Sequence, residues 1–206
     1  MSPSPADTDA EYVKRIEMER REKDYFFKEH DQSPIPWGLR DAFTGLAYFS
    51  PDPAYRLRVK LNRYPKPERV VLATSKGVPR DLLKWGTFEF PIQGQTRRLQ
   101  AYKAVPEHGH GEESLFVPLR DATSGKESYG AARYLDLEPS ETDEYELDFN
   151  RAYNPYCAYS DDYVCPFPPR ENWLDVRIEA GEKDFPLAAL KERLSQEGGL
   201  GHRHAH

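Results

Sequence analysis

Long hydrophobic runs are missing from this chain of 206 residues, and so are basic clusters; methionine and cysteine occur twice each. No window approaches the roughly 18 consecutive apolar residues that a membrane helix needs, so no membrane partner is expected. The 29 Lys and Arg residues are mixed along the chain with 35 Asp and Glu, giving a net charge of −6. That balance leaves no basic footprint for nucleic acid. The opening MSPSPADTDAEY has neither the apolar centre of a secretory signal nor the basic amphipathic pattern of a transit peptide. A cytoplasmic location is therefore expected. In that reducing compartment two cysteines read as free thiols or ligands rather than a permanent disulfide.

What is abundant is the aromatic ring. Phe, Trp and Tyr make up 13% of the chain, and Tyr and Phe far outnumber Met. This favours a β-rich fold with a core of rings and branched aliphatics. The expected organisation is a flexible tail over 1–8, one domain over 9–197 and a Gly/His-rich tail over 198–206. A helix is predicted from Asp9 to about Glu29, capped by Asp7, Thr8 or Asp9, with acids in its first turn and its middle too charged to bury. A short second helix is predicted from Leu187 to about Gln196, stopped by Gly198, Gly199 and Gly201.

Between the helices, alternation and turn signals predict short strands at 55–61, 70–74, 87–92, 97–104, 115–119, 129–135, 145–149 and 174–178. The predicted class is α+β, β-rich: a curled antiparallel sheet, barrel-like or sandwich, with a helix at each end of the chain. The predicted core is Leu57, Val59, Val71, Phe88, Phe90, Leu99, Leu115, Val117, Leu147, Phe149, Val176 and Ile178.

The stretch LDFNRAYNPYCAYSDDYVCPFPPREN, 147–172, holds both cysteines, five Tyr and Phe rings in its loop and four of the 18 prolines. A loop this rich in rings is ordered rather than disordered, and its prolines lower the entropy cost of ordering it. Such rigidity suits a binding site and a structural plug equally. Three constellations carry chemistry. In the first, Asp121, Thr123 and Ser124 open a turn with Gly125 at positive φ, and Tyr129 and Arg133 line the strand that returns. An inward Arg133 would need a carboxylate, for which Asp148 is the candidate. In the second, Asp148 and Asn150 share the strand face opposite Leu147 and Phe149, with Arg151, Tyr153 and Asn154 following. If the loop covers that face, they are either a latch or the floor of a ligand site. In the third, Cys157 and Cys165 are spaced C-x₇-C, which matches no strong zinc pattern. With His108 and His110 of the turn EHGHGEE they would supply four ligands, but such a turn is ordinarily solvated. No metal and no cofactor is expected, and the His-rich tail would bind a transition metal only adventitiously.

The combination of F-x-x-L-R-D-A-T-S-G-x-x-x-Y-G-x-x-R-Y-L with L-D-F-N-R-A-Y-N-P-Y-C-A-Y-S, then C-P-F-P-P-x-E-N and I-E-A-G-E, resembles the prokaryotic domain of unknown function family 1684. The Lys23-Asp24-Tyr25-Phe26-Phe27 and Phe43-Thr-Gly45-Leu46-Ala-Tyr48-Phe49 stretches resemble its opening. The resemblance runs from about Arg15 to Glu182, with Phe167 where Leu is commoner, and it implies no activity. Two functions stay open: a small-molecule pocket, with or without enzymatic activity, in which Arg133 and Arg151 hold an anionic group; and a structural or partner-binding module in which the same residues form a hydrogen-bonded latch. No pattern sets an oligomeric state.

Overall fold

Alternating apolar residues need a second layer to bury them, and here the sheet supplies most of that layer by curling. The computed structural model describes residues 7–105 and 114–200. The element order is α1 (Asp9–Glu29), β1 (Arg56–Leu72), β2 (Arg80–Ile92), β3 (Gln95–Ala104), β4 (Leu115–Leu119), β5 (Arg133–Leu137), β6 (Glu144–Asp148) and α2 (Leu187–Leu200). The six strands form one antiparallel sheet in the order β5-β4-β3-β2-β1-β6, curled into a half-barrel between the two helices. The turn carrying His108 and His110, and the tails over 1–6 and 201–206, lie outside the described residues.

Thr8 caps α1 with a capping box: its side chain accepts from the Glu11 N–H while the Glu11 carboxylate accepts from the Thr8 N–H. Only Tyr12, Ile16 and Phe27 of this helix are buried, near its two ends. The inner concave face of the sheet holds Val59, Leu61, Phe88, Phe90, Leu99, Leu115, Val117, Leu147 and Phe149, closed by Val176 and Ile178.

Four expectations need correction. The segments 55–61 and 70–74 are parts of one long strand, β1, because irregular pairing between Arg63 and Glu68 carries the ladder past Pro65 and Pro67. On β2 an irregularity between Lys84 and Gly86 exchanges that strand's two faces: Leu82 and Lys84 lie opposite Ala104 and Tyr102 on the outer face, Phe88 opposite Leu99 on the inner one. β1 itself keeps a single alternation, with Val59 and Leu61 inward and Val70 and Leu72 outward, yet Val71, expected in the core, lies outside it at 61% exposure, while Leu72 packs with Leu82 and Tyr102 on the outer face. Leu57 packs only partly against the core. Second, the strand expected at 129–135 begins at Arg133, since Tyr129 belongs to the preceding turn. Third, 174–178 forms no ladder: its backbone groups bond to Arg120, Ala122 and the Asp121 side chain instead. Fourth, α2 runs through Gly198 and Gly199 to Leu200.

Candidate functional site

Arg133 leaves the start of β5 for the protein interior, where its side chain is 1% exposed against 0% for Asp121. Its Nη2 donates to Asp121 Oδ1 at 3.2 Å and to the Ile178 carbonyl at 2.9 Å, and its Nη1 donates to the Ala180 carbonyl. Burial pulls the guanidinium pKa down and the Asp121 charge opposes this, so the cation is kept in place by its counter-ion. Asp121 accepts in addition from the Ile178 N–H at 2.6 Å, from Thr123 and from the Ser124 hydroxyl, and Gly125 takes the positive φ of +80° that the turn needs. The expected pair of Arg133 with Asp148 does not form. Asp121 is nearer in the fold because the β4–β5 connection returns it to the foot of the strand that carries Arg133.

Asp148 is 2% exposed, covered by α1 rather than by the aromatic loop. The Tyr12 hydroxyl donates to it at 2.8 Å, and the Asn150 N–H and side-chain amide donate at 3.0 and 3.1 Å. Asn150 in turn holds the Asp52 backbone, donating to its carbonyl and accepting from its N–H at 2.8 and 2.9 Å. Arg151 pairs with Glu19 at 2.7 Å and with Glu146 at 3.5 Å. Arg133 and Arg151 therefore converge on no common point.

The strap Ile178-Glu179-Ala180-Gly181-Glu182 threads between these two clusters. Gly181 has φ +79°, and a Cβ there would meet the Ala152 carbonyl at 2.5 Å, so only glycine fits. The turn delivers Glu182, 2% exposed, to a third cluster. Its carboxylate accepts from the Asn154 N–H at 2.7 Å, from the Tyr159 hydroxyl at 2.5 Å and from Lys23 of α1. Burial beside this carboxylate raises the Tyr159 phenol well above its ordinary value.

Lys23 and Tyr153 stand at the mouth of a cleft of about 570 Å³ on the outer face of the sheet. One wall is sheet: Arg80 and Leu82 of β2, Phe116 of β4, and Tyr134 and Asp136 of β5. The other wall is the loop, through Tyr153, Tyr156, Tyr163 and Cys165. Alternation explains the sheet side, since Leu115, Val117 and Leu135 face the core and leave Phe116, Tyr134 and Asp136 pointing outward. Phe116 and Tyr134 meet edge to face at 4.7 Å, as do Tyr134 with Tyr153 and Tyr156 with Tyr163. The Tyr153 hydroxyl donates to Asp136, and burial pushes its pKa far up. A smaller cleft of about 240 Å³, lined by Arg20, Tyr48 and Glu182, shares Lys23 and Tyr153 with it.

Both cysteines are free and lie together at the base of the loop. The Cys157 N–H donates to Cys165 Sγ at 3.3 Å, and the Tyr129 hydroxyl lies 3.7 Å from Cys157 Sγ. The thiols interact with each other, which lowers the pKa of Cys165 and raises that of Cys157. Among the described residues no three His, Cys, Asp or Glu side chains are grouped to hold a metal.

The twelve candidate residues are thus divided by the fold. Asp121, Thr123, Ser124 and Arg133 form one sealed cluster, and Asp148, Asn150 and Arg151 belong to another. Asn154 joins Glu182, Tyr129 lies behind Cys157, and only Tyr153 and Cys165 line the cleft. Sequence reasoning missed Lys23, Arg80, Phe116, Tyr134 and Asp136 as a group. They come from α1 and three different strands, and no spacing links them.

The fold and site define a β-rich α+β domain whose first helix and proline-rich loop are fastened to a curled sheet by buried charged side chains. The family model of the protein of unknown function (DUF1684) matches residues 41–183, and the chain belongs to that family. An uncharacterized protein of Haloarcula marismortui, solved by solution NMR, is 44% identical; the match covers 84% of this chain and 95% of that one, with a TM-score of 0.65. No curated relative of established function matches.

Proposed function

We propose that the protein binds a small molecule with a planar apolar body and an anionic group in the cleft between β2–β5 and the aromatic loop. The observation that carries this is the convergence of five rings, Phe116, Tyr134, Tyr153, Tyr156 and Tyr163, on a cleft of about 570 Å³, within the usual size of ligand sites. Ring faces and edges give a flat ligand stacking area at low entropy cost, since each ring has few rotatable bonds. Arg80 is exposed at the rim and makes no ion pair among the described residues, which leaves its guanidinium for a carboxylate or phosphate. Lys23 is held by Glu182, so it sets the position of Tyr153 rather than the charge of the site.

The sealed Asp121–Arg133 and Asp148–Tyr12 clusters favour a latch for those residues: both Arg133 Nη groups and the Tyr12 hydroxyl donate to protein acceptors, Arg133 Nε alone being buried without one, and these residues do not line the cleft. On this reading the latches hold the loop and helix that shape the cleft, and they do not touch the ligand.

Thermal-shift screening against metabolites tests the proposal. Planar anions are expected to raise Tm, and a ligand at a hundredfold its Kd adds about 2.7 kcal/mol. Tyr163→Ala and Arg80→Ala should abolish that shift while leaving the unliganded Tm nearly unchanged, because both side chains sit at the rim. A shift that survives both substitutions would place the ligand elsewhere.

A further inference from the structure

Cys157 and Cys165 have a second-residue relationship that ligand binding does not use. Cys165 is 7% exposed and lines the cleft, so a small solute entering the cleft reaches its sulfur. Its backbone is clamped to the β1–β2 connection: its N–H donates to the Ser75 hydroxyl at 3.1 Å, and its carbonyl accepts from the Ser75 N–H at 3.0 Å. The sulfur accepts from the Cys157 N–H at 3.3 Å, and interaction with the neighbouring Cys157 thiol lowers its pKa. Arg80 adds a positive charge from the same rim. Cys157 is half-buried where Cys165 is buried, and sits on the short 3-10 turn Tyr156–Ala158 with the Tyr129 hydroxyl beside its sulfur. The groups facing this pair are therefore donors and one cation, together with the neutral phenols of Tyr129 and Tyr134, and no carboxylate pairs with either sulfur. Both N–H donation and nearby positive charge favour thiolate over thiol, and they do so at Cys165 rather than at Cys157.

We propose that the two cysteines form a peroxide-reactive thiol pair, in which Cys165 is the sulfur oxidised by a hydroperoxide and Cys157 the one that closes the disulfide. In the first step the Cys165 thiolate attacks one oxygen of the hydroperoxide. The S–O bond forms as the O–O bond breaks, and the departing alkoxide or hydroxide takes a proton from water. Sulfur is oxidised to the sulfenic acid and the peroxide is reduced to an alcohol or water. In the second step Cys157 Sγ attacks the Cys165 sulfur, forming S–S and expelling hydroxide, which leaves as water with the Cys157 proton. A small dithiol reverses the bridge by exchange. This proposal does not rest on the ligand proposed for the cleft, although Cys165 and Arg80 line that same cleft.

The test is intact mass of the full chain after brief exposure to hydrogen peroxide. The protein is expected to lose about 2 Da, restored by a dithiol, as a disulfide requires. Cys157→Ser should instead gain about 16 Da and be trapped at Cys165 by a cyclic 1,3-diketone that captures sulfenic acids. Cys165→Ser should do neither. As a check that needs no substitution, native competition alkylation of the wild-type chain should modify Cys165 at least about tenfold faster than Cys157 at neutral pH, with a midpoint below the roughly 8.5 of a free cysteine. Trapping at Cys157 instead of Cys165, faster alkylation of Cys157, or a wild-type mass that peroxide leaves unchanged would each overturn the proposal.

Discussion

The Tyr12 hydroxyl lies 2.8 Å from both carboxylate oxygens of Asp148, joining residues 136 positions apart in the chain. This contact docks the first helix on the strand that launches the aromatic loop. Burial, with the Asp148 carboxylate beside it, drives the Tyr12 pKa far up, so the phenol remains a donor through the whole neutral range.

Tyr12→Phe removes one donor to a buried carboxylate that keeps the two from Asn150, so a loss of about 1.5–3 kcal/mol is expected. Asp148→Asn retains an acceptor for Tyr12 but turns an amide toward the Asn150 donors, and should cost a similar amount. Chemical denaturation measures both. A change under about 0.5 kcal/mol in each would mean that α1 is not held through this contact.

Asp121→Asn is expected to be worse. It leaves the Arg133 guanidinium buried without its counter-ion, and breaking such a pair typically costs about 3–5 kcal/mol. Glu146→Gln, which weakens only half-exposed bridges to Arg56 and Arg151, should change stability by less than about 1 kcal/mol. The order of the two midpoints in urea is the readout.

Alkaline pH should unfold the protein progressively. The phenols of Tyr12, Tyr48, Tyr102, Tyr129, Tyr134, Tyr153 and Tyr159 are all raised, in each case chiefly by burial. A folded pKa above the unfolded value means that the unfolded chain releases protons first. The stability these tyrosines contribute is then complete below about pH 10 and falls as pH rises beyond it. Absorbance titration should show these seven tyrosines ionising only as circular dichroism is lost. One transition for all thirteen near pH 10, with the fold intact, would contradict this.

Neighbours at the end of β1 carry opposite forecasts. Val71→Lys should lie within about 0.5 kcal/mol of wild type, because that side chain stands in solvent. Leu72→Ala should cost about 2–4 kcal/mol through the space left beside Leu82 and Tyr102. Equal losses from both would mean that Val71 is packed as Leu72 is.

Much of this molecule is written locally. The capping box at Thr8, the charged middle of α1, the alternation of Leu57, Val59 and Leu61, and the glycine at the Asp121 turn are choices made within a few residues, and each is visible in sequence. So is the order of the loop, because rings and prolines bias the chain wherever it ends up. The family motifs were also legible as strings, including the strap that ends in Gly181 and Glu182.

Partnership was not legible. Arg133 called for a carboxylate and Asp148 for a donor, and both needs are met, yet with Asp121 and Tyr12 rather than with each other. Burial of a charge demands some counter-group but names none, since the choice depends on which backbone arrives alongside. The cleft is the same case: Lys23, Arg80, Phe116, Tyr134, Asp136 and Tyr163 come from a helix, three strands and a loop, and they share a surface only because the irregular pairing in β2 turns its Arg80 end to the outer face that the loop lines. Sequence by itself determined which residues must be buried, capped or kept rigid, because those are single-residue free energies. Only the tertiary structure decided who meets whom, because strand register and the path of the strap past Gly181 are set by packing summed over the whole chain.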